Sequence, residues 1–161
     1  MAPSRRPSWT LFSIALVVFA LDALSKALVL LHIEEGESVR LIQGVLYLTH
    51  TTNTGGAFGL STGTPWLFGL VSMAVVVFII LNARQVTSGW KAIALGLVLG
   101  GAAGNLVNRL SGGLDLSGKV VDFIDVRVWP VFNVADSAVV IGAVMLALSY
   151  AKRERADERT P

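Results

Sequence analysis

The chain has 161 residues, 53% of them hydrophobic and only 15% charged, with a net charge of +2 and no cysteine. That length suits a single domain, but the charged fraction falls well below the roughly 25% of soluble globular chains, so a bilayer is the expected solvent. Disulfide scaffolds, thiol nucleophiles and Cys-based metal sites are excluded, and the few, dispersed basic residues give no footprint for a nucleic-acid partner.

Four apolar stretches, residues 9–31, 65–82, 90–110 and 134–151, each approach the roughly 20 residues that cross a hydrocarbon core. The expected fold is therefore a mainly α membrane protein, one polytopic domain over residues 1–161 with four transmembrane helices. The first stretch follows Arg5 and Arg6 like a signal peptide. It is read as a retained helix because Asp22 and Lys26 interrupt it and no small-residue cleavage site follows. Those two residues are four apart, so they can pair on one helix face and lower the cost of burying either charge. A structural or site-supporting role fits them better than direct catalysis.

The next segment, residues 32–64, sets Glu34, Glu35 and Glu37 against Arg40. Residues 38–53 are rich in Val, Leu, Tyr and Thr, with Gln43 and Gly44 as a turn signal, which predicts a small extracytoplasmic sheet. It ends in Asn53-Thr54-Gly55-Gly56-Ala57-Phe58. The paired glycines there fit either a loop returning to the membrane or an ordinary connector. His32 and His50 lie far apart without metal-ligand spacing, so no metal is expected.

In the third stretch Gly96, Gly100 and Gly104 form a small-residue ridge on which a neighbouring helix can approach closely. Asn105, Asn108 and Arg109 follow at i, i+3 and i+4 on one predicted face, aimed at protein or trapped water; interhelical hydrogen bonding is the alternative use for them. Residues 111–131 then form a second outer loop. Within it, residues 113–119 have the Gly and Lys spacing of a phosphate-binding loop, but Val120 replaces the magnesium-binding hydroxyl and no helix is expected at Lys119, so nucleotide binding is not expected.

Asp122 sits in the apolar run Val120-Val121-Asp122-Phe123-Ile124-Asp125, either as a site carboxylate or as an exposed loop acid like Asp125. Asp136 opens the fourth stretch in Phe132-Asn133-Val134-Ala135-Asp136-Ser137, where Asn133 and Asp136 also suit helix capping. Two carboxylates in a poorly solvated place share one proton, the device of aspartic proteolysis, which needs neither metal nor cofactor. The sequence leaves open whether Asp122 and Asp136 meet. Arg5, Arg6, Arg84, Lys91, Lys152, Arg153, Arg155 and Arg159 all fall on one side, so both termini are predicted to be cytoplasmic and the loops at 32–64 and 111–131 external.

Taken in order, Asp22 with Lys26, the motif from Asn53 to Phe58, Gly100-Gly101-Ala102-Ala103-Gly104-Asn105 with Arg109, Val121-Asp122-Phe123 and Phe132 to Ser137 resemble the motifs of bacterial lipoprotein signal peptidase, signal peptidase II. The resemblance implies an endopeptidase of the bacterial inner membrane that acts near its extracytoplasmic face. It would remove signal peptides from diacylglyceryl-modified prolipoproteins just before the lipidated Cys. It also implies Asp122 and Asp136 as the catalytic pair, with Asn53, Gly56, Asn105, Arg109 and Asn133 lining or supporting the site and Asp22 with Lys26 holding it. Membrane lipid and globomycin-type inhibitors are implied partners, no cofactor is implied, and a monomer is expected. Asn108 departs from the pattern, standing where the family usually has Asp before Arg109, and the stretch from Asp122 to Asp136 is short for the family. The rival reading is a non-enzymatic four-helix transport or assembly protein whose acids serve packing or proton movement.

Overall fold

The computed structural model describes residues 6–54 and 64–157. Its elements are α1 (Arg6–His32), β1 (Ser38–Ile42), β2 (Leu46–Asn53), α2 (Pro65–Asn82), a 3-10 turn (Ala83–Gln85), α3 (Gly89–Leu110), β3 (Val120–Asp125) and α4 (Val134–Asp157). The protein is a four-helix membrane protein with a small antiparallel sheet in the order β1-β2-β3. The third strand comes from the second outer loop, which extends the predicted hairpin of residues 38–53 across the mouth of the bundle.

Helix α3 is central because glycines line two of its sides. A Cβ on Gly96 would lie 2.7 Å from the Leu11 carbonyl, and one on Gly100 would lie 2.6 Å from that of Ala15, so α1 seats directly on α3. On the other side Gly101 meets the Ala135 carbonyl, and Gly142 of α4 would place a Cβ 2.6 Å from the Ala94 carbonyl. Backbones this close gain van der Waals contact that lipid cannot supply. Many large apolar side chains face outward along the helices, including Leu16, Leu24, Val71, Phe78, Ile80 and Val144, as hydrocarbon surroundings require.

The bundle has two distinct ends. At one, Leu11, Ala15, Ile79, Ala83, Ala92 and Leu99 close a core beneath the α2–α3 turn. At the other, Val29 and Ile33 from the end of α1 pack on Val121 and Phe123 of β3. Exposed Trp9, Trp90 and Tyr150 ring the first end, while exposed Trp66 and Trp129 lie at the second. Such aromatic girdles mark the two membrane–water boundaries.

The segment after α3 closes the helix end and holds no phosphate-type helix start. Gly118 donates its N–H to the Arg109 carbonyl at 2.9 Å, Leu116 leans on Gly69 of α2, and the chain then enters β3.

Candidate active site

The site forms where the start of α4, the end of α3 and the sheet converge. Helix α4 begins with a reciprocal cap: the Asn133 side-chain oxygen accepts the Asp136 N–H at 2.9 Å, and Asp136 Oδ2 accepts the Asn133 N–H at 3.2 Å. Each satisfies a donor the helix start would otherwise leave unpaired, and the carboxylate meets the positive end of the helix dipole. The cap also fixes where Asp136 points.

Asp122 comes from β3 and is only 2% exposed. Its two oxygens accept from Asn53 Nδ2 at 3.0 Å and from Asn133 Nδ2 at 2.6 Å. Asn105 of α3 donates from Nδ2 to Asp136 Oδ1 at 2.7 Å, while its oxygen accepts from Asn133 Nδ2 at 3.2 Å and from Lys26 Nζ at 3.1 Å. Three asparagine amides thus tie the carboxylates into one network, with Asn133 touching both. Burial, and then the charge of Asp136, push the Asp122 carboxyl up to about 6, against the opposing bonds from Asn53 and Asn133 and the positive charge of Lys26. Asp122 is therefore disposed to keep its proton at a pH where an ordinary carboxyl would have ionised.

Lys26 and Asp22 pair at 2.7 Å and are 3% and 1% exposed. Asp22 also accepts the Ala135 N–H at 3.0 Å, one residue before Asp136. The pair thereby joins α1 to the first turn of α4 and, through Lys26, to Asn105. The added hydrogen bonds to Ala135 and Asn105 help to offset the desolvation of the buried pair.

Arg109 is buried within electrostatic range of both Asp122 and Asp136, but its contacts are the Gly118 carbonyl at 3.3 Å and the Phe68 ring at 5.9 Å. No direct ion pair joins it to either carboxylate among the described residues. Asn108 does not share its use. It turns into a crevice of about 170 Å³ between α1 and α3 alongside Phe19, Asp22, Ala23 and Lys26, and its buried oxygen has no partner among the described residues. The predicted common face of Asn105, Asn108 and Arg109 therefore splits, with Asn105 alone bonded to the carboxylate network. Asn108 makes no bond to Arg109.

Gly56 lies outside the described residues. Asp125, read from sequence as an exposed loop acid, is instead only 7% exposed. It accepts from Thr49 Oγ1 and from the Arg127 N–H, both at 2.8 Å, and pairs with Arg127 Nε at 3.5 Å, while the Arg127 guanidinium lies 3.6 Å over the Tyr47 ring. Its pairing opposite Tyr47 in the sheet buries it, a tertiary contact that the loop reading of the sequence did not contain. Thr49 and His50 were likewise missed because nothing in a polar strand announces an irregular register.

Fold and site together define a polytopic membrane protein with two carboxylates held in a protein-lined network at one end of its helix bundle. The sequence profile described as signal peptidase (SPase) II matches residues 14–152. The chain belongs to that family. The lipoprotein signal peptidase of Rhodococcus jostii is 48% identical over 140 residues, covering 86% of this chain and 70% of that one. The Syntrophomonas wolfei protein of the same name is 43% identical, covering 89% and 94% of the two chains. A bacterial membrane enzyme solved by the in meso method at 2.3 Å superposes with a TM-score of 0.82 at 26% identity, over 94% of this chain and 93% of that one.

Proposed function

We propose that this protein is the endopeptidase that removes signal peptides from prolipoproteins, cutting just before a diacylglyceryl-modified Cys at the outer face of a bacterial inner membrane. Family membership supports the reaction class. The observation that supports the chemistry is the single amide network joining Asp122 and Asp136.

In this reading Asp122 carries the shared proton and Asp136 acts as base. Asp136 takes a proton from water as its oxygen attacks the scissile carbonyl, and Asp122 donates to the carbonyl oxygen, on which negative charge develops. Collapse of the tetrahedral intermediate breaks the C–N bond, and the proton held by Asp136 passes to the departing amine. Asn53, Asn105 and Asn133 hold the carboxylates, Asp22 with Lys26 fixes Asn105 and the start of α4, and Arg109 supplies positive charge close by. Gly56 is assigned to the site by family resemblance. The lipid chains of the substrate remain in the bilayer while the peptide bond reaches the carboxylates at the bundle end.

A transporter would need its buried charges to move. Asp22 and Lys26 are instead bonded to each other and to fixed groups on α4 and α3, which favours the protease. Purified protein incubated with a diacylglyceryl-modified prolipoprotein should release a shortened lipoprotein, and globomycin should block it. A folded preparation that leaves the precursor intact would refute the proposal. Cleavage by a protein kept monomeric in detergent would support the one-chain site.

A further inference from the structure

We infer that an irregularity in β2 at Thr49 and His50, latched to the end of α1 and to β3, turns Asn53 onto Asp122, making His50 and Asp125 positioning residues for the carboxylate pair. The inference rests on the proteolytic reading of Asp122 above.

Side chains alternate along a regular strand, and residues directly opposed across an antiparallel ladder share a face. Leu48 opposes Ile124, and Asn53 opposes Val120. Ile124 and Val120 are four apart, so they lie on the same face of β3. Leu48 and Asn53 are five apart, so a regular β2 would put them on opposite faces. The register reconciles the two through a bulge: Thr49 and His50 together fall between the pairs Leu48–Ile124 and Thr51–Asp122, opposite Phe123 alone. Leu48 can thereby stay opposite Ile124 while Asn53 reaches Asp122 on the same face of β3. Without the extra residue one of those two contacts is lost, since a one-residue slip reverses every side chain beyond it.

Both bulged residues are tied down. Thr49 Oγ1 donates to Asp125 Oδ2 at 2.8 Å and lies 2.7 Å from the Ser38 hydroxyl. His50 Nδ1 lies 2.8 Å from the Ile33 carbonyl just beyond α1. A carbonyl only accepts, so Nδ1 carries the hydrogen. The His50 N–H donates to the Glu37 carbonyl at 3.0 Å, and its own carbonyl accepts from Gly36 at 2.8 Å. Phe123, opposite the bulge, donates to the Phe132 carbonyl at 3.0 Å, next to Asn133. The bulge therefore sits between the end of α1 and the strand that supplies Asp122.

His50 Nε2 is buried with no partner among the described residues, so a side chain supplying only the Nδ1 donor loses nothing there. That makes His50→Asn the conservative variant and His50→Leu the disruptive one. The readout is the pH dependence of prolipoprotein cleavage. The charged groups acting on Asp122 are Asp136 and Lys26, with Arg109 also in range, and His50→Leu changes none of them. The Asn53 bond favours ionised Asp122, so its loss should move the alkaline limb of kcat/KM upward by about one pH unit. His50→Leu should show that shift, with kcat lower by roughly tenfold to a hundredfold and KM nearly unchanged. His50→Asn should restore the wild-type limb. Asn53→Ala should reproduce the shift, and adding His50→Leu to it should move the limb no further.

An unmoved limb in folded His50→Leu, or additive shifts in the double variant, would overturn the inference while leaving the protease assignment intact. Absence of cleavage by the wild type would instead reject the assignment. If His50→Leu does not fold, Thr49→Val removes the other latch; the same upward shift supports the inference and an unmoved limb rejects it.

Discussion

Asn133 touches the two carboxylates with different parts of one residue. Its side-chain nitrogen donates to Asp122, while its backbone N–H and side-chain oxygen close the cap with Asp136. Capping and site formation, which look like alternatives in the sequence, are one arrangement. Asp122→Asn and Asp136→Asn should each lower turnover by roughly 10³-fold or more, because an amide can neither take the water proton nor cycle as an acid. The double variant should lose little beyond either single one, as expected of groups that act as a unit. Cleavage rates with a lipid-modified precursor, on protein shown to be folded, check both statements. Asp115→Asn is the proper loop-acid control, since Asp115 only braces Ser117 in an exposed turn, and it should stay within about tenfold of wild type. Asp125→Asn cannot serve, because Asp125 is buried and bonded to Thr49.

The same residue scale sets the pH dependence. Burial and the Asp136 charge raise Asp122 to about 6, so one proton remains on the pair below that pH and is lost above it. In the free enzyme kcat/KM should therefore decline as pH rises through about 6. Bound substrate excludes more water, which disfavours the charged form further, so the corresponding limb of kcat should lie at higher pH. Parallel kcat and kcat/KM profiles test this, and coincident limbs would count against Asp122 as the proton donor.

At the scale of elements, the four helices were legible because hydropathy over some 20 residues is a strong, local signal. The glycine ridge of α3 was also legible, and it does seat α1. The third strand was not. Val120 to Asp125 was noticed as an apolar run holding a carboxylate, but a short apolar run gives no pairing partner, and strand pairing with residues some 70 positions earlier is a tertiary fact. The bulge is invisible for the same reason, whereas Asn105, Asn133 and Asn53 are legible because each sits in an ordered motif. Glycines on the ridge should differ in what they control. A Cβ at Gly104 would lie 2.5 Å from Asp22 Oδ2, whereas one at Gly100 would strike the Ala15 carbonyl and Val18. Both Gly100→Ala and Gly104→Ala should destabilise by roughly 1–3 kcal/mol through overpacking. Only Gly104→Ala displaces Asp22 from Lys26 and Ala135, so it alone should lower the specific activity of the protein that still folds. Thermal melts in detergent, with activity per folded molecule, separate the two effects.

At the scale of the whole molecule, aromatic residues mark both ends of the bundle and the basic residues tell the two ends apart. Arg84 and Lys91 lie at the end of the bundle ringed by Trp9, Trp90 and Tyr150, and the carboxylate network lies at the end marked by Trp66 and Trp129. Basic residues concentrate on the cytoplasmic side of spanning proteins, so both termini and the α2–α3 turn are predicted to lie inside and the sheet outside. A lipid-bearing substrate would then meet the carboxylates near the outer boundary, where water is available and acyl chains need not leave the bilayer. The absence of native cysteine makes this orientation directly testable. Single cysteines at Ser38 in β1, Ser88 before α3 and Ser117 in the loop before β3 should divide cleanly: in intact cells a membrane-impermeant thiol reagent should label positions 38 and 117 and spare 88 until the membrane is opened. Labelling of position 88 from outside would invert the protein, put the carboxylates on the cytoplasmic face, and remove the physical basis for processing an exported lipoprotein there.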